Sequence, residues 1–157
     1  MQKEEIVIEL LDMKRLKHDI EKLCKLEREI FGIDGYPRYF FRQSAELFGD
    51  TFLVCRDADK NIIGYLLGAV KHEKKEGWLL SMCVDESLRK KGIGSVLISK
   101  FLDLLKSRPV HAVFATVDPL NLATVNLYSK HGFKIQKLEQ DYHGIGYHRY
   151  LMKKNLA

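Results

Sequence analysis

The stretch WLLSMCVDESLRKKGIGSVLISKFLDLLK, residues 78–106, decides the fold of this chain. It opens with the apolar run Trp78–Val84, which predicts a mostly buried strand. A basic loop with two glycines follows at Arg89–Gly94, and apolar residues recur at helical spacing from Ile93 onward. The first N–H groups of a helix lack intrahelical acceptors and lie at the positive end of its dipole. This order of elements therefore predicts a phosphate-binding site.

Two well-known phosphate-binding motifs do not fit the loop. A P-loop requires Gly, four residues and then Gly-Lys-Ser/Thr, and the chain has no such run. A dinucleotide fingerprint requires a third glycine, but Gly94 is followed by Ser95-Val96-Leu97. What remains is Arg-x-x-Gly-x-Gly at Arg89–Gly94. Alone it is weak evidence, because a surface turn before a helix has the same pattern.

Length and composition are typical of one globular domain, predicted here over residues 1–157, with 46% hydrophobic and 30% charged residues. No apolar run is long enough to span a membrane, and Met1–Glu5 shows no signal-peptide pattern. Cys24, Cys55 and Cys83 are odd in number and widely spaced, which favours free thiols over disulfides or zinc ligands. We therefore expect a cytoplasmic protein that binds no metal.

The net charge of +5 and the pI near 9.0 suit an anionic ligand, and they leave a nucleic-acid partner open. Lys and Arg are spread along the whole chain and are balanced by 21 acidic residues. This distribution favours a generally basic surface, so a nucleic-acid role is not expected.

The hydrophobic periodicity predicts strands over 4–10, 51–56, 62–70, 78–84, 110–117, 133–138 and 147–153, and helices over 16–31, 37–49, 93–106 and 121–131. This order, β-α-α-β-β-β-α-β-α-β-β, predicts an α+β fold with a single mixed, mostly antiparallel sheet flanked by helices. On the first helix, Asp19-Ile20-Glu21-Lys22 are expected on the charged outer face, and Glu27 within the apolar stripe.

Two separated segments, Val84–Gly94 and Asn121–Phe133, together resemble the signature segments of the GNAT superfamily of acyl-CoA-dependent N-acetyltransferases. The first is similar to the Arg/Gln-x-x-Gly-x-Gly/Ala loop of that family. The second is similar to its Asn…Leu-Tyr-x-x-x-Gly-Phe helix and strand. The predicted elements match the family from about residue 5 to residue 154, and two signatures in the right order are far more specific than one.

The resemblance implies acetyl-CoA as the co-substrate. Its pantetheine arm would pair with backbone groups of the fourth strand where that strand splays from the fifth, and its pyrophosphate would be held by N–H groups of the basic loop. Tyr128 would be the catalytic residue that gives the leaving thiolate a proton, although a half-buried core tyrosine is the alternative. The implied cofactor-binding residues are Met82, Cys83, Val84, Arg89, Lys90, Lys91, Gly92, Ile93, Gly94, Ser95 and Asn121.

The general base is not evident. Related N-terminal acetyltransferases often have a Glu or His on the fifth strand, twelve residues before the tyrosine, and here that residue is Thr116. Another enzyme type uses a Tyr or Glu on the fourth strand, where Trp78 stands. Asp118, Glu73 and His111 are the remaining candidates, and direct loss of the proton from the amine to solvent is also open.

Cys83 suggests a second route, in which an acyl-cysteine intermediate forms. A cysteine inside an apolar strand is more often a small core residue, so we expect direct attack of the amine on the thioester.

The C-terminal run Asp141–Lys153 resembles the ending of ribosomal-protein-alanine and protein N-terminal acetyltransferases. This resemblance implies that Tyr142 holds the first residues of the substrate, with Tyr36 and the aromatic second helix as the facing wall. A protein or peptide N-terminal α-amine is therefore the expected acceptor, and the protein is expected as a monomer or homodimer. The alternatives are a small-molecule amine, such as a polyamine, antibiotic or metabolite, or a non-catalytic acyl-CoA-binding module.

Overall fold

The computed structural model describes residues 5–156. The first residue of the strand predicted over 4–10 and the Met1–Glu4 part of the N-terminal pattern lie outside the described residues, as does Ala157. Within this range seven strands and four α-helices follow one another in the predicted order: β1 Val7–Leu10, α1 Leu16–Phe31, α2 Arg38–Phe48, β2 Phe52–Arg56, β3 Ile62–Lys71, β4 Glu76–Val84, α3 Ile93–Lys106, β5 Ala112–Val117, α4 Leu122–Lys130, β6 Lys134–Glu139 and β7 Arg149–Asn155.

The strands form one mixed sheet in the order β1-β2-β3-β4-β5-β7-β6, which confirms the predicted fold class. The pairs β1–β2, β2–β3, β5–β7 and β6–β7 are antiparallel, and β4 and β5 are parallel. The parallel pairing runs from Glu76 with Ala112 to Leu79 with Ala115, while β4 continues to Val84. No helix within residues 5–156 is long and apolar enough to cross a bilayer.

The residues of β4 are buried on one face only, so the prediction of a mostly buried strand is wrong for the other face. Gly77, Leu79 and Cys83 are buried, whereas Leu80 is exposed and Met82 is half-buried. Successive side chains of a strand point to opposite sides of the sheet, which explains this alternation. The apolar run alone did not show this alternation of burial, because both faces of the strand carry apolar residues.

The described residues divide into two compact units. Unit 1 comprises residues 5–68 and 81–101, and unit 2 comprises residues 69–80 and 102–156. The core of unit 1 contains three aromatic rings, with Phe41 edge-on to Tyr65 at 5.5 Å between centroids and Phe52 at 5.9 Å from Tyr65. Among the fully buried side chains of unit 2 are Leu105 and Phe133.

The N-terminal helix α1 packs its apolar stripe into the core of unit 1, where Leu16, Leu23 and Leu26 are buried. The prediction that Asp19 lies on the charged outer face is wrong, since Asp19 is only 3% exposed. It precedes Leu23 by four residues and therefore shares its face. Its carboxylate accepts two hydrogen bonds from the buried guanidinium of Arg56 on β2, at 3.0 and 2.6 Å.

Two glycines let the sheet approach α3 closely, one in each unit. A Cβ atom built on Gly68 of β3 would lie 2.2 Å from the ring of Phe101. A Cβ atom on Gly77 of β4 would lie 2.6 Å from Cδ1 of Leu105. Both glycines thus mark positions where the sheet and a side chain of α3 are in close contact.

Cys24, Cys55 and Cys83 are free and buried. Among residues 5–156, no group of three or more His, Cys, Asp and Glu side chains is placed to hold a metal ion.

Candidate active site

The basic loop begins at a turn that Asp85 organises. The Asp85 carboxylate accepts hydrogen bonds from the Ser87 backbone N–H at 2.9 Å and from the Ser87 hydroxyl at 2.7 Å. The Asp85 N–H donates to the Ile63 carbonyl of β3 at 2.8 Å, which ties the start of the loop to the sheet. An Asp at this position thus fixes the direction in which the chain leaves β4.

The loop reaches α3 through Gly92, whose φ of +84° is a left-handed conformation that favours glycine. Val96 N–H donates to the Gly92 carbonyl at 3.1 Å, so the N–H groups of Ile93 and Gly94 precede the helical ladder. A Cβ atom at Gly92 would meet no atom within 4 Å. The loop is therefore open beside N–H donors, and exposed Arg89 lies three residues before Gly92. These features fit a diphosphate group such as that of CoA.

Cys83 turns its side chain into the core of unit 1. The thiol is 3% exposed and its Sγ lies 3.8 Å from the Leu26 carbonyl, to which it donates. Burial, followed by the charge of Glu27, raises the pKa of Cys83 far above its ordinary value, so the thiol stays protonated. This geometry favours a core role for the side chain over an acyl-cysteine intermediate, and it leaves the backbone of β4 as the group offered to a ligand.

Asn121 caps α4. Its Oδ1 accepts a hydrogen bond from the Thr124 N–H at 3.2 Å, and its carbonyl accepts the first helical bond from Val125 at 3.1 Å. The side chain is exposed. Because the cap uses only the oxygen of the side-chain amide, Nδ2 is the group with which Asn121 would donate to a ligand.

Tyr128 lies on the buried side of α4 and is 4% exposed. Its ring packs beside Phe133 at 5.6 Å, and its carbonyl accepts from the N–H groups of His131 and Phe133 at 3.0 and 3.1 Å. Gly132, with φ of +89°, allows this reversal of the chain. Burial raises the pKa of Tyr128 well above its ordinary value, so its phenol keeps its proton near neutral pH and has it available to donate.

The positions at which related enzymes carry a base have other contacts here. Trp78 stacks on Phe114 with 5.2 Å between ring centroids, and the Lys153 ammonium lies 5.6 Å from the Phe114 ring. Thr116 pairs with Leu151 of β7 in the antiparallel ladder. Neither an indole nor a hydroxyl accepts a proton from an amine at neutral pH by itself.

The three remaining candidates for the base lie at opposite ends of the parallel strands. His111 precedes β5 and its N–H donates to the Lys75 carbonyl at 2.9 Å, while Glu73 lies in the turn before β4. Asp118 follows the other end of β5, and its Oδ1 accepts from the Leu120 N–H at 2.9 Å. Seven residues of extended chain span about 20 Å, so His111 and Asp118 cannot serve one reacting amine together.

The two tyrosines predicted to hold substrate are both accessible within their own units. In unit 1, half-buried Tyr36 stacks on Phe40 with 4.0 Å between centroids, and its N–H donates to Glu27 Oε1 at 3.0 Å. In unit 2, Tyr142 is 43% exposed and packs beside His143 in the connection between β6 and β7.

A buried polar chain in unit 1 was not found from the sequence. Glu27 is 2% exposed and Tyr65 is fully buried, and the Tyr65 hydroxyl donates a short hydrogen bond to Glu27 Oε2. The Tyr65 hydroxyl also lies 2.9 Å from Ser81 Oγ on β4. Burial raises the pKa of Glu27, against the hydrogen bonds from Tyr36 and Tyr65 that lower it. A glutamate within an apolar helical stripe was the available signal, because a buried carboxylate requires partners.

The candidate residues are distributed over both units. Unit 1 holds Tyr36, Met82, Cys83, Val84, Arg89, Lys90, Lys91, Gly92, Ile93, Gly94 and Ser95, and unit 2 holds Asn121, Tyr128 and Tyr142. The fold and the open loop at the start of α3 favour an enzyme that uses an acyl-CoA donor.

Sequence comparison agrees with this class. The model of the acetyltransferase (GNAT) family matches residues 19–133, and the chain belongs to that family. The predicted acetyltransferase class is thereby confirmed. An N-alpha-acetyltransferase of Sulfolobus acidocaldarius is 28% identical over 145 residues, which cover 85% of each chain.

Solved structures share the fold over nearly their whole length. Ard1 from Thermoplasma volcanium superimposes with a TM-score of 0.85 at 23% identity, covering 97% of this chain and 98% of the other. A chain of the NatC complex bound to a Gag peptide and CoA gives a TM-score of 0.87 at 19% identity, covering 98% and 99%.

Proposed function

We propose that this acetyltransferase transfers the acetyl group of acetyl-CoA to the α-amine of a protein or peptide N-terminus. The observation that carries the proposal is the similarity to the N-alpha-acetyltransferase of Sulfolobus acidocaldarius, which covers 85% of both chains. A match of that extent is not confined to the acyl-CoA loop.

In this proposal the loop at the start of α3 holds the pyrophosphate of acetyl-CoA. The N–H groups of Lys90 to Ser95 donate to phosphate oxygens, and the cationic side chains of Arg89, Lys90 and Lys91 add attraction. Support comes from the left-handed Gly92 and the empty space beside it, which let a bulky anion approach the backbone.

The backbone of Met82, Cys83 and Val84 binds the pantetheine arm. The parallel pairing of β4 with β5 extends only to Leu79, and β4 continues for five residues beyond it. Those residues carry N–H and C=O groups that a peptide-like ligand can pair with. Asn121 adds a contact to the cofactor through its side-chain amide.

Tyr128 donates a proton or hydrogen bond to the thiolate as the thioester breaks. The bound acetyl-CoA supplies an activated acyl group, and the protein supplies orientation and this donor. The raised pKa of Tyr128, caused by burial, supports the role because it keeps the phenol protonated.

Tyr36 and Tyr142 contact the first residues of the acceptor. Tyr36 is held by its N–H bond to Glu27 and by stacking on Phe40, so its ring has a fixed position. The loop that carries Tyr142 is fixed by Asp141, whose Oδ1 accepts from the Gly146 N–H at 2.7 Å.

We further propose that residues 1–157 act as one acetyltransferase domain in the cytoplasm, as a monomer or homodimer. The family match spans parts of both units, and three buried free thiols suit a reducing compartment. Size-exclusion chromatography with light scattering measures the oligomeric state, and a larger assembly would contradict this.

The function is tested with a library of peptides and small amines incubated with acetyl-CoA and read by mass spectrometry. Each peptide is paired with a copy whose N-terminus is formylated and whose internal lysine is free. We expect acetylation of the free α-amine and none of the formylated copy. Acetylation confined to lysines or to small amines, such as polyamines, would overturn the α-amine proposal while leaving the acetyltransferase class intact.

A further inference from the structure

We propose that Ser81 Oγ accepts the proton of the substrate amine and that Tyr65 relays it to the buried carboxylate of Glu27. This inference rests on the proposed function, since the amine must reach β4 beside the acetyl group. It assigns the general base that neither Thr116 nor Trp78 provides.

The hydrogen bonds among Ser81, Tyr65 and Glu27 have one direction. An ionised Glu27 accepts only, so the single proton of the Tyr65 hydroxyl points to Glu27 Oε2. The Tyr65 oxygen then accepts from the Ser81 hydroxyl, 2.9 Å away. Ser81 Oγ keeps its lone pairs for an incoming donor, such as an ammonium group or a water bound to it. The chain therefore points one way, from β4 into the core.

The three residues of the chain differ in their exposure to solvent. Glu27 and Tyr65 are buried at 2% and 0% exposure, whereas Ser81 is only half-buried. Ser81 therefore forms the accessible end of the chain. It also directly precedes Met82–Val84 on β4, the residues proposed to hold the acyl-CoA arm.

Glu27 is buried, and its contacts also hold its side chain in a fixed position. Its Oε1 accepts the Tyr36 N–H at 3.0 Å, and a Cβ atom at Gly35 would lie 3.0 Å from Glu27 Cγ. The carboxylate thus contacts the connection that presents Tyr36, a proposed acceptor contact. One buried acid links the acceptor wall to the hydroxyl at the site of transfer.

The proton transfer balances in charge and atoms. An N–H bond of the substrate ammonium breaks and its proton goes to Ser81 Oγ, as the proton of Ser81 passes to Tyr65 and that of Tyr65 passes to Glu27 Oε2. The amine becomes neutral and Glu27 becomes a carboxylic acid, which later returns its proton to solvent by the same route. Tyr65 passes its proton in concert, because burial raises its pKa well above 10 and a free tyrosinate is unfavourable.

Glu27 is the carboxyl group of this cluster, and the groups around it are phenols and thiols. The groups that act on it electrostatically are the phenols of Tyr36 and Tyr65 and the thiols of Cys24 and Cys83. Burial raises the pKa of each of them, so all four stay neutral from pH 6 to 8. Burial also raises the pKa of Glu27, which makes it a stronger base than an exposed glutamate.

The test compares Glu27→Gln, Tyr65→Phe and Ser81→Ala with the wild type, using whichever amine the wild type acetylates. For each protein kcat/KM is measured from pH 6 to 9. We expect each variant to lose about 100-fold at pH 7, with the deficit shrinking toward pH 9 as more of the amine is already neutral. A Glu27→Gln/Tyr65→Phe double variant should lose little more than either single variant, because both break one chain.

Ser44→Ala is the matched control. Ser44 Oγ is also a buried hydroxyl of unit 1, and it is the buried side-chain polar atom among the described residues that has no hydrogen-bond partner. Its removal should leave the rate and the pH profile unchanged. If Glu27→Gln does not fold, Ser81→Ala decides, because it removes the entry to the chain and leaves the buried acid intact.

A loss of kcat/KM that is equal at every pH would overturn the relay. So would an unchanged kcat/KM in Ser81→Ala and Tyr65→Phe. A second measurement does not depend on turnover. In protein with ¹³C-labelled glutamate carboxyls, one resonance absent from Glu27→Gln should titrate above pH 4.5, and an ordinary midpoint would count against the relay. A wild type that acetylates no α-amine would overturn the proposed substrate, and the relay would still be tested with another amine.

Discussion

The two units differ in what they bury. Five polar or charged residues among the described part of the chain are buried, and all lie in unit 1: Asp19, Glu27, Ser44, Thr51 and Arg56. None of the described residues of unit 2 is a buried polar or charged residue. In unit 2 the phenol of Tyr128 is buried and packs beside Phe133.

In the proposed mechanism, this difference separates the two kinds of proton chemistry that acetyl transfer needs. A buried polar group costs free energy unless it is paired, and in unit 1 Asp19 pairs with Arg56, Glu27 with Tyr65, and the Thr51 hydroxyl with the Gly68 carbonyl at 2.7 Å. Such an environment can hold a carboxylate that accepts a proton. The apolar surroundings of Tyr128 instead keep its phenol protonated, so that the phenol has a proton to donate.

The largest effect is expected at the buried ion pair. Asp19→Ala leaves the Arg56 guanidinium buried beside only Glu9 and the Lys60 carbonyl, which should lower the free energy of unfolding by about 3–5 kcal/mol. Urea unfolding measures this. Glu139→Ala in unit 2 is the control, because the Lys137–Glu139 pair is exposed and should contribute less than about 1 kcal/mol. Equal losses of unfolding free energy in the two variants would contradict the contrast between a buried ion pair in unit 1 and an exposed one in unit 2.

The loop at α3 gives the next largest effect. Gly92→Glu places a side chain at φ +84° and a negative charge beside the proposed pyrophosphate site, so two or more charge-assisted bonds would be lost. We expect CoA binding to weaken by about 3 kcal/mol, roughly 100-fold in Kd, measured by calorimetry. Gly146→Glu in unit 2 has a matching φ of +85° and equal open space. If both variants bind CoA alike, the loop assignment is wrong.

Tyr128→Phe should lower kcat by about 100-fold with little change in CoA affinity, since it removes a proton donor and keeps the ring. The pKa of Tyr128 is raised, so loss of its proton does not limit the rate up to pH 9. The loss of activity in Tyr128→Phe should therefore be constant from pH 6 to 9, whereas the loss in Tyr65→Phe should shrink toward pH 9. Stopped-flow or steady-state profiles compare the two variants. Unchanged turnover would remove Tyr128 from the mechanism.

The smallest effect concerns packing against α3. Gly68→Ala forces a methyl group onto the fully buried Phe101 ring and should cost about 2 kcal/mol of folding free energy. Gly77→Ala meets the end of the Leu105 side chain, which rotates more easily, so we expect about 1 kcal/mol. Thermal unfolding of both variants measures the difference. A reversed order would show that Leu105 is the more constrained of the two contacts.

The order of the elements and the location of the loop were predictable because they depend on local signals. Hydrophobic periodicity and the cap residues Gly32 and Asn121 are properties of short segments, and the structure has α1 ending at Gly32 and α4 capped by Asn121. The pairing of two signature segments supplied the family, which the comparisons confirmed.

The buried polar contacts were not predictable because they join residues far apart in the chain. Periodicity placed Glu27 in the stripe of α1, but its partner Tyr65 is 38 residues away. Asp19 was assigned to solvent by its charge, and only the position of Arg56 on β2, 37 residues later, explains its burial.

The burial of all three cysteines has a practical consequence for measuring this enzyme. Each transfer releases CoA with a free thiol, while Cys24, Cys55 and Cys83 are 5%, 0% and 3% exposed. An aromatic disulfide reagent can therefore report turnover continuously in folded protein, with the product as the accessible thiol. The same shielding means that one cysteine introduced on the surface would be a unique attachment point for a fluorescent or spin label.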